Sequence, residues 1–220
     1  MLTNDLAATA LLTGEHALAS PRLSAADAAL ARHSVRTYRD VAVTDAEVRA
    51  LLELTGRAPS AFNLQPWRFV VVRDQATKAA LQTAAYGQKQ VGAAPVVIAM
   101  YADMEDTMAH LHEVVHPDLP ADKKAGTVAM LQNTFGSMTA EARGIWANAQ
   151  ANIALGYLLL IARSEGLDTS PMLGFQADQV KQLLGIPAHA TITALVAIGR
   201  GADDGFRSHR HSVDRVATFR

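Results

Sequence analysis

The sequence contains no cysteine. That absence excludes disulfide staples, thiolate catalysis and cysteine-ligated metals. It also lacks charge of one sign: 20 Lys and Arg stand against 21 Asp and Glu, for a net charge of -1. Nothing in that balance suggests a nucleic-acid or acidic-membrane partner. A secretory signal is missing too, because Asp5 and Glu15 fall where a signal peptide wants lysine or arginine. The uninterrupted apolar runs are shorter than a bilayer span requires, so a cytoplasmic protein is expected. There is no internal repeat and no low-complexity linker.

What is present suits one folded unit. Half of the 220 residues are hydrophobic and 19% are charged, enough to bury a core without cross-links. Residues 1–23 are rich in Ala and Leu and read as an N-terminal extension. Residues 24–220 read as a single domain.

Ser24 with Asp27 marks a helix start running to about Arg32. Thr44 and Glu47 form a capping box, after which Val48, Leu51, Leu52 and Thr55 keep helical spacing until Gly56. Trp67–Val72 predicts a strand from its aromatic and β-branched content. Residues 75–86 predict a helix, and 87–92 a polar break. Pro95–Tyr101 is continuously apolar, as a buried central strand would be. A helix is expected over 103–115, then helical structure from 122 to 165 with breaks near Gly136 and Gly144. Trp146–Ala162 is apolar on every side, the mark of a helix buried in a core or at a subunit interface. Thr169–Phe175 reads as a ligand loop, 178–184 as a helix and Thr191–Ile198 as a strand. The expected fold class is α+β, with a mixed, mainly antiparallel sheet wrapped by helices.

Two stretches carry chemistry. Arg32-His33-Ser34-Val35-Arg36 puts two guanidinium groups and a hydroxyl within five residues. They fall at a helix C-terminus, the wrong pole for an anion, so the arginines themselves must supply the attraction. Ala58-Pro59-Ser60-Ala61-Phe62-Asn63-Leu64-Gln65-Pro66-Trp67 is a polar loop feeding an apolar strand. Together they suggest an anion clamp and a ligand-facing loop around a phosphate-bearing cofactor. A flavin nucleotide is one candidate. Its phosphate would take Arg32, Arg36 and Arg210. Its ribityl chain and ring edge would take Ser34, Ser60 and Asn63, and its pyrimidine Gln88 and Gln90. The backbone at Leu173-Gly174 could approach N5. Composition and spacing do not choose flavin over another phosphate ligand. A metal site at His110, His112 and His116 is disfavoured, because helix positions i and i+2 do not face one way.

Arg-His-Ser-Val-Arg followed by Ala-Pro-Ser-Ala-Phe-Asn-Leu-Gln-Pro-Trp-Arg-Phe resembles the nitroreductase family of FMN-dependent oxidoreductases. Ser170-Pro171-Met172-Leu173-Gly174-Phe175 and the Ile198-Gly199 strand end follow in the family's order, and the resemblance spans about residue 24 to about 216. It implies an α+β sandwich and an intertwined homodimer with FMN at the interface. Arg32, His33 (through its backbone), Ser34 and Arg36 would hold FMN from one subunit. Pro59, Ser60 and Asn63 would reach the flavin of the other. Pro171, Met172, Leu173 and Gly174 would line the ring, and Arg210 would return to the phosphate. Leu173 stands where some members carry an acid. Ser208 stands where some carry a lysine, and Arg207 is expected to compensate. The C-terminal tail would pack on the partner subunit. The implied activity passes hydride from NAD(P)H through flavin N5 to a nitroaromatic, quinone or activated alkene in a ping-pong cycle. A specialised reductase or dehalogenase of the same fold, or a flavin carrier or sensor, is the alternative.

Overall fold

The computed structural model describes residues 22–203, 205–206 and 208–220. The expected extension at 1–23 therefore lies almost wholly outside the described residues. Its last two residues are tied to the body: Leu23 N–H donates to the Ser164 carbonyl at 3.1 Å, and Arg22 pairs with Glu165.

Helix α1 (Ala25–Ala31) begins at Ser24, whose hydroxyl accepts the Asp27 N–H. Helix α2 (Asp45–Thr55) has the full capping box. Thr44 accepts the Glu47 N–H, and the Glu47 carboxylate accepts the Thr44 N–H. A 3-10 turn at Ala61–Asn63 leads into β1 (Trp67–Val72). Then come α3 (Gln75–Ala84), α4 (Lys89–Ala93) and β2 (Val96–Ala102). Helices α5 (Met104–Ala109), α6 (Leu111–Val114), α7 (Ala121–Gly136) and α8 (Ala140–Ser164) follow. The chain ends with β3 (Asp168–Met172), α9 (Ala177–Leu184), β4 (Thr191–Gly199) and a short α10 (Val213–Val216).

The four strands form one sheet in the order β1-β2-β4-β3, with every pair antiparallel. One parallel bridge, Ser34 to Thr169, adds the segment after α1 to the β3 edge. The α+β expectation holds. Several local readings do not. The polar break at 87–92 contains α4, with Gln88 as its N-cap. The expected helix over 103–115 is interrupted at His110. Gly144 does not break α8, which runs 25 residues through it. Thr169–Phe175 is not all loop, because Asp168–Met172 is a strand. It tolerates Pro171 because β3 is an edge that pairs only with β4.

Alternation along β2 builds both halves of the core. Val96, Ile98 and Met100 face Ala147, Ala151, Ala154 and Leu158 of α8 and Leu51 of α2. Val97 and Ala99 face Leu81 of α3, Val91 of α4 and Val180 of α9. A strand covered on both faces reads as an unbroken apolar run. Alanines on the inner face of α8 let its backbone lie close to the sheet.

Among the described residues, the outer face of α8 is uncovered. Ile145, Ala149, Asn152, Ile153, Gly156 and Tyr157 form one exposed stripe at helical spacing. At 25 residues the helix is long and apolar enough to cross a membrane, which the reading of its uninterrupted runs did not reveal. Its opposite face is instead committed to the sheet.

The capping box also links elements, since Glu47 pairs with Arg200 at 2.7 Å. Burial alone would raise the Glu47 carboxyl. The Thr44 N–H, the Arg200 guanidinium and the Thr44 hydroxyl outweigh it and hold the group below the usual carboxylate range. A lowered folded-state value means stability that is fully present above the unfolded carboxylate range and is lost as pH falls below that range through the folded value. Glu47→Gln is expected to cost about 1 kcal/mol at pH 7. That lowers Tm by about 2–4 °C, and the gap to the parent should narrow in thermal melts as pH falls below the usual carboxylate range.

Candidate functional site

The site is built on the β3 edge. Helix α1 ends at Arg32, and the chain then runs alongside β3, with Val35 N–H donating to the Thr169 carbonyl at 3.0 Å. That pairing fixes Arg32, His33, Ser34 and Arg36 at the start of the strand. Arg32 is half-buried and Arg36 exposed. Burial, and then the nearby Arg210 guanidinium, push the Arg32 group below its usual range. Residues 178 positions apart therefore place like charges near one another. Among the described residues, no ion pair includes Arg32, Arg36 or Arg210. Such guanidiniums offer an anion charged, forked donors. Arg207 lies outside the described residues.

The His33 side chain is committed elsewhere. Its Nδ1 lies 3.1 Å from the Ala31 carbonyl, and its ring packs against Gly205, where an added Cβ would come within 3.3 Å of it. Its Nε2 is buried without a hydrogen-bond partner. The buried Thr169 hydroxyl, beside Ser34, has no hydrogen-bond partner. Sequence reading placed it at the start of the ligand loop 169–175 but gave its side chain no role.

The other end of β3 meets the end of α3. The Gln88 amide donates to the Gly174 carbonyl at 2.8 Å, and the Gln176 N–H to the Ala84 carbonyl at 2.8 Å. The Gln90 amide donates to Gln88 Oε1 at 3.2 Å. Gln90 is buried, so it positions Gln88 rather than facing a ligand. Met172 is also buried, within the α3/α9 half of the core, leaving its main chain alone at the edge. Leu173 is 74% exposed. At Gly174 an added Cβ would make only ordinary contacts, 3.7 Å from Gln88 and 3.8 Å from Tyr86. Nothing within the chain requires a glycine there.

Tyr86 is the second residue that sequence reading missed. It was expected to be the last residue of a helix. Instead it follows the cap of α3 with φ 55°, donating to the Thr83 carbonyl, while Gly87 N–H donates to the Gln82 carbonyl at 2.9 Å. This 6→1 and 5→2 pair is the helix ending in which glycine is preferred at the position Tyr86 holds. A side chain there costs about 1–2 kcal/mol. Tyr86 is 68% exposed, so burial does not offset the strain. The Tyr-Gly pair after an apolar helical pattern was the available signal.

Pro59, Ser60 and Asn63 stand elsewhere. Their loop precedes β1, at the opposite edge of the sheet from β3. Three strand spacings of about 4.8 Å separate those edges. Ser60 Oγ accepts the Gln65 N–H at 3.0 Å, and Asn63 Nδ2 donates to the Val114 carbonyl at 3.2 Å. Phe62, Asn63 and Gln65 all have positive φ, so the loop is strained and pinned. A cavity of about 560 Å³ beside it is lined by Gln65, Trp67, Arg68, Asp106, His110 and Glu113. There Arg68 is paired with Asp106, so it lends no free charge. Within one chain, the Arg32–Arg36 segment borders the start of β3 with Arg210 near Arg32, Gln88 meets Gly174 at its far end, and Pro59, Ser60 and Asn63 precede β1 at the opposite edge.

The sequence profile of the nitroreductase family matches residues 29–200. A protein of Thermus thermophilus named NADH dehydrogenase is 50% identical over 200 residues, covering 91% of this chain and 98% of that one. A candidate NAD(P)H nitroreductase of Bacillus subtilis, YdgI, is 29% identical over 197 residues, 86% of this chain and 94% of its own. Among solved structures, a candidate nitroreductase from Exiguobacterium sibiricum in complex with FMN superposes with a TM-score of 0.84 at 27% identity, covering 91% of this chain and 99% of that one.

The arginine cluster makes a direct prediction. Sulfate should raise the Tm of the ligand-free protein more than chloride does at equal ionic strength. Arg32→Ala/Arg210→Ala should remove the difference in the same scanning-fluorimetry experiment.

Proposed function

The chain belongs to the nitroreductase family, and we propose from that footing that FMN lies along β3, with its phosphate at Arg32, Arg36 and Arg210 and its ring at Pro171–Gly174. The protein is an NAD(P)H-dependent flavin oxidoreductase. The observation that carries the placement is the convergence of two unlike ends on one edge strand. An uncompensated arginine cluster sits at its start, and an amide-buttressed glycine turn at its finish. From Thr169 to Gly174 the span is about 16 Å, at 3.3 Å per residue.

The residues present fit the cofactor. The three guanidiniums would neutralise the phosphate. Ser34 and the unpartnered Thr169 hydroxyl would serve the ribityl chain. Gln88, fixed by Gln90 and by the Gly174 carbonyl, would meet the pyrimidine edge. The main chain of Leu173 and Gly174 would offer N–H groups to the ring, and the missing side chain at Gly174 leaves room for it. FMN, when bound, supplies reversible two-electron chemistry, accepting hydride from the pyridine nucleotide and passing it on. No side-chain nucleophile is needed. The protein holds the ring, keeps one face open and tunes its charge.

The second half of each site would come from another copy of the chain. Pro59, Ser60 and Asn63 lie across the sheet from the arginines, so one molecule does not close around the ring. The apolar stripe Ile145, Ala149, Ile153 and Tyr157 on α8 supplies a surface for that contact. We therefore read the active form as a homodimer with two shared sites. The exposed Phe206, Val213, Val216 and Phe219 of the C-terminal tail would pack on the partner. NADH is the favoured donor, supported by the name of the Thermus relative. Quinones, nitroaromatics and activated alkenes are the acceptor classes proposed, and the cytoplasm is the proposed setting.

The first test is an anaerobic titration of purified protein with NADH and then a quinone. The flavin absorbance should bleach and return. A flavin that no pyridine nucleotide bleaches would sink the oxidoreductase reading and leave a carrier. Arg32→Ala/Arg36→Ala should lose bound FMN on gel filtration while keeping the parent circular dichroism. Gly174→Ala should keep the ligand-free Tm but weaken FMN binding at least tenfold, because within the chain its methyl makes only ordinary contacts with Gln88 and Tyr86.

A further inference from the structure

The geometry points to Tyr86 as a specificity-determining residue, the wall that favours planar, electron-poor ring acceptors such as quinones at the site. This rests on the placement of the flavin ring at Leu173–Gly174. Tyr86 is held at that place by the chain itself. Its ring lies where a Cβ on Gly174 would be 3.8 Å from its Cδ2. The hydrogen bonds from Gln88 to Gly174 and from Gln176 to Ala84 lock the two turns together on either side of it. It is a tyrosine in a helix-ending position that prefers glycine, with φ 55°, and it remains mostly exposed. Its strain therefore has no return in packing. A residue that costs stability and gains no burial is explained by contact with a ligand. Gln88 beside it supplies the polar contacts there, so an apolar ring face is what the tyrosine adds.

The reaction selected for is the two-electron reduction of a quinone. Quinone, NAD(P)H and one proton give hydroquinone and NAD(P)+, with hydride leaving the nicotinamide and the proton coming from solvent. Aromatic contact at such a wall changes binding by about three- to tenfold. A compact metal-complex acceptor with no ring gains nothing from it.

The experiment compares the parent with Tyr86→Gly and Tyr86→Phe as FMN-loaded protein, using saturating NADH and either 1,4-naphthoquinone or ferricyanide. Tyr86→Gly is expected to lower the ratio of kcat/KM for naphthoquinone to that for ferricyanide about three- to tenfold, each rate being taken per bound FMN. Its Tm should be equal to the parent's or about 2–4 °C higher, since glycine relieves the turn. Tyr86→Phe should keep the parent's preference. An unchanged acceptor ratio in Tyr86→Gly overturns the inference, as does a Tyr86→Phe that falls as far as the glycine variant. A parent protein that retains no FMN, or reduces neither acceptor, overturns the underlying placement instead.

Discussion

The contact between α8 and the β2–β4 pair is the constraint on which the rest depends. Four strands make a small sheet, and one 25-residue helix seals most of one face. Ala147, Ala151, Ala154 and Ala162 are fully buried there. Small side chains bring the helix close, and a well-packed interior does not tolerate much added volume. Since α8 crosses beneath the whole sheet, it fixes both edges together. The arginine segment at one edge and the strained loop at the other are thus held by one rigid body.

The elements legible in the sequence were those with local chemistry. Ser24 and Thr44 announced their helices through side-chain caps, and β2 through an unbroken apolar run. Strand β3 was obscured by Pro171 and by its polar start, because an edge strand needs neither full burial nor a complete ladder. Gly144 looked like a break, yet packing along the sheet overrode its weak propensity. Tyr86 was hidden for a related reason. The sequence pattern continues helically to it, and only the backbone reveals the left-handed turn.

The site was legible as a set of residue types rather than as an arrangement. Arg32 and Arg36 are neighbours in the chain, so they could be proposed together from the sequence. Arg210 could be named beside them, but its approach to Arg32 depends on the return of the chain after β4. Gln88 and Gln90 looked equivalent on paper. Burial separates them into one amide at the edge and one behind it. Nor could the sequence reveal that Ser60 and Asn63 stand across the sheet, since that distance is set by strand order and not by spacing along the chain.

The single bridge between Ser34 and Thr169 has a consequence for the life of the protein in a crowded solution. An open sheet edge is a template on which another molecule can add a strand. Here the segment that carries the arginines shields the first half of that edge, and Pro171, with no N–H to give, interrupts the second half. The shield is made of like charges that repel when nothing lies between them. An anion at these arginines would relieve that repulsion and steady the guard, which would disfavour the addition of a foreign strand to the open edge.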